Sequence, residues 1–244
     1  MNTQAQKKLQ QLREENVQRV KIAFTDIDGV QRGKYLSMDK FSSVLEGGAG
    51  FCDAVFGWDI NDQLYDNTTF TGWHTGFPDA RYRVDLETER RLPDEDNTPF
   101  YLIEFVDEND GLHAICPRSI LQRVLAKARE MNIGARLAFE YEFFIFDETP
   151  HSVREKGYRN LKHLTPGNFG YSLMRTNSHS SMYHDLMDYA ELMRFPIEGL
   201  HCETGPGVWE AALKYDDALC MADSASMFKT FSKTFFQDRG LMAT

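Results

Sequence analysis

Ala138-Phe139-Glu140-Tyr141-Glu142-Phe143-Phe144-Ile145-Phe146 is strongly apolar and aromatic, yet it carries two carboxylates one residue apart. Side chains alternate between the faces of a strand, so Glu140 and Glu142 project one way. Phe139, Tyr141, Phe143 and Ile145 project the other way, into a core. Like charges side by side on a buried strand repel, and burial penalises each of them. A cation between them removes both costs. The competing reading is an edge strand whose Glu face is simply solvated.

About sixty residues downstream a second acidic pair follows. Ile197 to Cys202 reads as a strand that runs into Glu203-Thr204-Gly205-Pro206-Gly207-Val208-Trp209-Glu210. Gly205-Pro206-Gly207 forces a tight bend, and Val208 to Tyr215 resumes as a strand. Val208, Glu210 and Ala212 take one face; Trp209, Ala211 and Leu213 take the other. If these strands lie beside the first one, Glu140, Glu142, Glu203 and Glu210 converge. Oxygen donors alone suit the hard cations Mg²⁺ or Mn²⁺, and no Cys or His cluster points to zinc. His201 is read as a packed or hydrogen-bonded strand histidine, and Trp209 as core. Lys162 and His163 are read as solvated loop residues.

Around these strands the chain alternates helices and strands. Met1 to Val17 is predicted as a polar helix anchored by Leu9 and Leu12. Val20–Thr25 and Val30–Leu36 form a hairpin about the turn Asp26-Ile27-Asp28-Gly29. Met38 to Leu45 is a short helix. Gly50 to Ile60 is a glycine-punctuated aromatic stretch. Tyr82–Leu86 and Phe100–Val106 are strands. Pro117 opens a helix whose Ile120, Leu121, Val124, Leu125, Ala128 and Met131 face a sheet. Arg118 and Arg123 are expected at its exposed positions, and Gly134 closes it. Thr149 to Ser178 is expected as a long loop. Ser180–Phe195 is a helix, as is the segment capped by Asp216 or Asp217 that carries Phe228, Phe231 and Phe235. Leu241 to Thr244 is the entry to another strand.

The totals exclude several function classes. At 244 residues, 42% apolar, with 18 Phe and a formal net charge of -10, this is a globular and acidic chain. It has no Lys/Arg block to meet a nucleic-acid backbone. No apolar run approaches the ~20 residues that cross a bilayer, and the polar start lacks the apolar segment of a secretory signal. Cys52, Cys116, Cys202 and Cys220 are scattered, as reduced thiols of a cytoplasmic protein would be.

Glu140-Tyr141-Glu142 followed by the Glu203 to Glu210 segment resembles the two metal-binding motifs of glutamine synthetases. Gly29-Val30-Gln31-Arg32-Gly33-Lys34, Pro78-Asp79, Cys116-Pro117-Arg118, Ala222-Asp223 with Lys229, and Gly240-Leu241-Met242-Ala243-Thr244 resemble further landmarks of that family in the same order. The resemblance implies an α+β fold: an N-terminal helix (1–18), a β-grasp domain (19–113), and a catalytic domain (114–244) of the type shared with guanidino kinases. It implies an ATP-dependent ligase that joins glutamate, through a γ-glutamyl phosphate, to ammonia or an amine. Glu142, Glu203 and Glu210 would hold the metal on the glutamate side. Glu140 would belong to the ATP-side metal, and Glu198 to the nucleotide side. Asp53, otherwise an ordinary loop carboxylate, would bind ammonium in a neighbouring subunit's site. The family's dodecameric double ring is the expected homo-oligomer.

Two departures qualify this reading. The family's remaining ATP-side ligands, its glutamate loop and its phosphate-clamping arginines have no counterpart before Thr244. The 244 residues alone are therefore expected not to complete a catalytic cycle. Asp53-Ala54-Val55-Phe56 replaces Asp-Gly-Ser-Ser, and Val208 replaces the Gln of Gly-Pro-Gly-Gln. A more apolar nitrogen pocket favours an alkylamine or polyamine over ammonium. The alternative reading is a non-catalytic member that keeps the fold for assembly.

Overall fold

The computed structural model describes residues 3–244. The chain divides into two compact units, one ending at Ala135 and the other running from Arg136 to Thr244. Among the described residues no helix is long and apolar enough to cross a membrane.

The first unit is built on a five-stranded sheet in the order β2-β1-β5-β4-β3. Its strands are β1 (Arg19–Thr25), β2 (Gln31–Ser37), β3 (Ala49–Cys52), β4 (Asp79–Leu92) and β5 (Thr98–Phe105). β1 and β5 run parallel, and the other pairs are antiparallel. Leu9 and Leu12 of helix α1 (Thr3–Glu14) pack in one core with Phe41 and Val44 of α2 (Met38–Gly47) and with Val20, Ile22 and Phe24 of β1. The two leucines thus anchor α1 as its sequence predicts. β4 is far longer than the predicted Tyr82–Leu86. Its register with β5 shifts between Asp85 and Arg90, and the Thr88 hydroxyl accepts the Leu102 amide there at 2.8 Å. A side chain substitutes for the interrupted ladder, so the polar run 87–91 stays in the strand.

Helix α3 (Pro117–Glu130) keeps Leu121, Leu125 and Ala128 half-buried and Arg123 exposed, as its periodicity predicts, but departs from that pattern at Arg118, Ile120, Val124 and Met131. Arg118, expected in solvent, reaches Asp85 at 2.7 Å and the buried Glu104 at 3.5 Å. Gln122 also bonds Glu104. Ile120 and Val124 are left exposed. A carboxylate buried on β5 needs donors on every side, and that demand outweighs partial burial of two aliphatic side chains.

The second unit has a four-stranded antiparallel sheet, β11-β7-β9-β8, in which β8 is Ile197–Cys202, and a two-stranded pair of β6 (Arg136–Leu137) and β10 (Asp216–Asp217). β7 (Glu140–Phe146) lies between β9 (Val208–Leu213) and β11 (Met242–Ala243). β11 pairs only with Ile145 and Phe146; at the Glu140–Glu142 end β9 is the ladder partner among the described residues and both carboxylates are exposed, so the solvated Glu face of the edge-strand reading holds there. The aromatic face of β7 is covered by the 20-residue helix α7 (Ala218–Gln237). The Tyr141 and Phe228 rings lie 5.1 Å apart, Phe143 and Phe236 5.9 Å, and the Tyr141 hydroxyl donates to the Ala225 carbonyl at 3.0 Å. Trp209 of β9 stacks at 3.8 Å on Tyr183 of α6 (Ser180–Leu192). Trp209 and the Phe stripe of α7 are core, as expected. Phe139, one residue ahead of the strand, is exposed instead of packed. Asp217 is the N-cap residue of α7, as expected, but its side chain makes no capping hydrogen bond.

The polar stretch 149–178 is not a plain loop. It contains α4 (Pro150–Glu155) and α5 (Leu173–Asn177). Thr149 and Ser152 close a reciprocal capping box around Pro150, a local signal that the stretch's polarity conceals. The buried Glu148 next to it accepts from the Lys156 ammonium, the Ser152 hydroxyl and the Lys162 amide. These bonds hold its carboxyl down at about 2. The contribution is complete above the ordinary carboxylate range and is lost as pH falls through it towards 2. Urea midpoints followed by circular dichroism should therefore drop on acidification from pH 5 to 2.5. Glu148→Gln should lower the midpoint at pH 6 and flatten that acid limb. Trp209→Ala should cost about 3–5 kcal/mol in the same assay at neutral pH.

Candidate metal centre

Strand pairing brings the acidic motifs together. Glu142 of β7 sits directly opposite Glu210 of β9, and Glu210 sits opposite His201 of β8 (Ile197–Cys202). Residues paired across a sheet share a face, so the three form one row on the side away from α7. Glu203 follows β8 into the bend. Its amide donates to the Val208 carbonyl at 2.9 Å, which starts the return strand. The bend requires Gly207: φ is +71°, and a Cβ there would lie 2.6 Å from the Ile145 carbonyl oxygen.

His201, Glu203 and Glu210 each present a donor atom within 4.8 Å of the others. His201 Nε2 lies 3.3 Å from a Glu203 oxygen and 3.6 Å from a Glu210 oxygen. The other Glu203 oxygen accepts the Thr204 amide at 2.7 Å. That backbone bond, with the Thr204 hydroxyl and His201, holds the Glu203 carboxyl below its ordinary value. Tyr171 lies flat on the imidazole, centroids 4.2 Å apart and planes 11° from parallel. Its own amide bonds the Cys202 carbonyl at 2.8 Å, so the ring and the strand it covers are tied together.

The donor set fits a divalent cation. At about 2.1 Å from each ligand atom, an ion needs donors within about 4.2 Å of one another, a small closure from what is seen. The set is not oxygen alone, as the carboxylate motifs suggest, because His201 adds a nitrogen. An imidazole suits Mn²⁺ and other transition ions better than Mg²⁺. His201 is the hydrogen-bonded strand histidine that its sequence suggests, bonded to Glu203 and stacked under Tyr171, but a lone strand histidine does not by itself signal a donor role. Its alternation with Glu203 and its register opposite Glu210 are what reveal it.

The remaining candidates lie apart from this cluster. Glu140 shares the face of Glu142 but sits two residue pairs further along, opposite Ala212. Glu140 and Glu142 are exposed and Glu203 and Glu210 half-buried, so the expected burial of both strand carboxylates does not hold. Glu198 is the extra residue of a bulge between Ile197 and Gly199, at the far end of β8 from Glu203, and is exposed. Asp53 belongs to the first unit. His163, read as a solvated loop residue, is half-buried and packs 4.8 Å from Phe146.

The second unit thus carries a row of carboxylates on one face of an antiparallel sheet whose other face is covered by one long helix. The family model described as the glutamine synthetase catalytic domain matches residues 114–244, and the chain belongs to the glutamine synthetase family. Type-1 glutamine synthetase 2 of Dictyostelium discoideum is 45% identical over 227 residues, covering 92% of this chain and 43% of the relative. A glutamate–isopropylamine ligase from a Pseudomonas species is 30% identical over 230 residues, covering 94% and 50%. The solved structure of apo GmaS without ligand shares the fold, with a TM-score of 0.77 at 22% identity over 97% of this chain and 51% of that one. The chain spans about half the length of the curated relatives it matches.

Calorimetric titration should show Mn²⁺ binding to the 244-residue chain. Glu210→Gln should weaken it about 100-fold, and His201→Asn at least about 10-fold, the scale on which even outer-shell partners act. Equal affinities in the wild type and Glu210→Gln would remove the site.

Proposed function

We propose that this chain carries part of an ATP-dependent ligase that joins the γ-carboxylate of glutamate to ammonia or a small amine through a γ-glutamyl phosphate. The in-register row Glu142–Glu210–His201, closed by Glu203, is the observation that supports this best. Glu142, Glu203 and Glu210, with His201, would hold the glutamate-side ion, and Glu140 would contribute to the ATP-side ion. Either ion would be Mg²⁺ or Mn²⁺. When bound, such ions offset the charge of phosphate and carboxylate oxygens and align them. Glu198 would serve the nucleotide side. Asp53 would hold the ammonium form of the attacking nitrogen and accept its proton.

The nitrogen substrate is read as an amine. Val208 is buried beside Glu203 and offers no polar group where the family's motif has Gln. The named substrate of the Pseudomonas relative, isopropylamine, is consistent with this. Ala54, Val55 and Phe56 add less to the argument than their composition suggests. All three are buried, and Val55 and Phe56 belong to the core of their own unit.

The mixed five-stranded sheet with its parallel central pair and two covering helices supports a β-grasp reading of residues 19–113. In that reading the catalytic domain opens at residue 114, just ahead of α3. All four cysteines are free, which supports a reducing, cytoplasmic setting. A dodecameric assembly would let Asp53 act in a neighbouring subunit's site.

The chain joined to the C-terminal half of the Dictyostelium relative, assayed for ATP-dependent γ-glutamyl product, should prefer methylamine or putrescine to ammonia. Val208→Gln should shift that preference towards ammonia by about 10-fold or more, the size of an unmatched polar group in a pocket. A wild-type preference for ammonia would remove the amine reading.

A further inference from the structure

The His201 ring is oriented by its face and not by its second nitrogen. Among the described residues its one hydrogen bond runs from Nε2 to a Glu203 oxygen at 3.3 Å, and Nδ1 has no partner. A metal-binding imidazole is normally fixed by a hydrogen bond at the nitrogen that does not hold the ion. Here the Tyr171 ring lies flat on the imidazole, planes 11° from parallel. Rotation of the imidazole about its Cβ–Cγ bond would drive one ring into the other.

Burial does not explain why Tyr171 sits there, because the residue is 71% exposed. Its φ is +57°, a left-handed conformation that a bulky side chain rarely adopts. Such strain persists where surrounding contacts over-determine it, and Cys202 supplies most of those contacts. The Cys202 carbonyl accepts the Tyr171 amide at 2.8 Å. Its buried thiol donates to the Phe169 carbonyl at 3.2 Å and to the Ser172 carbonyl at 3.6 Å. The Thr176 hydroxyl donates to the Ser172 carbonyl at 3.0 Å and lies 3.9 Å from the thiol. Gly170 brings the segment down onto the bend, since a Cβ there would stand 3.0 Å from the Thr204 hydroxyl oxygen. Cys202 thus grips residues 169–172 with both its side chain and its backbone, one position from His201 and one from Glu203.

We propose that Tyr171 is a positioning residue for His201, with Cys202 as the latch that holds it in place. The stacked ring keeps Nε2 turned towards Glu203 and Glu210 before any ion arrives. The ion then meets a donor already oriented, and less side-chain freedom is lost on binding. The role rests on His201 serving as an ion donor in the reading given above.

NMR of the imidazole CH groups and calorimetric Mn²⁺ titration, both on the 244-residue chain, test this. In the metal-free wild type the His201 ring protons should resonate upfield of their positions in Tyr171→Leu, because they lie against an aromatic face. Tyr171→Leu should weaken Mn²⁺ binding about 10-fold, while Tyr171→Phe, which keeps the ring, should bind as the wild type does. In a His201→Asn background Tyr171→Leu should cost nothing further. Cys202→Val should lose the upfield shift and weaken Mn²⁺ binding, and Cys202→Ser, which keeps a donor, should retain both. Wild-type ring protons at their Tyr171→Leu positions, or equal Mn²⁺ affinities for the wild type and Tyr171→Leu, overturn the proposal and leave the ion reading standing. An undiminished Tyr171→Leu loss in the His201→Asn background overturns the assignment to His201. A wild type that binds no Mn²⁺ overturns the ion reading, and the positioning role falls with it.

Discussion

The catalytic-domain unit depends on one constraint, the two-residue alternation of β7 read across an antiparallel sheet. On one face Tyr141, Phe143 and Trp209 are packed under α6 and α7. That apolar contact sets the register. On the other face the same register lines up Glu142, Glu210 and His201. A slip of one residue would turn the carboxylates into the aromatic core. The packing energy of the helix side therefore fixes the geometry of the charged side, although the two faces share no side chain.

The bend between β8 and β9 works within that frame. Gly205 and Gly207 have positive φ values, and Gly207 leaves no space for a Cβ. The chain can reverse within four residues and still return Glu210 beside Glu203. The half-buried acids keep apart from the fully buried ones. Glu104 and Glu148 are each saturated by donors and act structurally. Glu203 and Glu210 share one imidazole between them, a deficit of positive charge that a cation would supply. That contrast, more than the number of acids, separates binding groups from structural ones here. It also weakens the view of the chain as a purely structural member.

Much of the fold was legible because periodicity and local turn chemistry agree. The hairpin about Asp26 to Gly29, the strand at 140–146, the bend at 205–207 and the Phe stripe of α7 all appear where the residues suggest. Where the reading failed, a long-range polar demand outweighed a local apolar pattern. α3 turns Arg118 inward because Glu104, distant in sequence, is buried beneath it. β4 continues past Leu86 because Thr88 repairs the ladder. The helices in 149–178 were hidden because their signal is a cap, not a stripe.

The residues by themselves determined the family, the acidic motifs and the face on which each strand carboxylate lies, since these follow from order and alternation along the chain. Only the tertiary structure decided that β7 lies between β9 and β11, that His201 joins Glu203 and Glu210, and that Asp53 is held by Thr71. Each of those depends on which strand lies beside which and what is buried between them. Such contacts join residues that no short-range pattern relates.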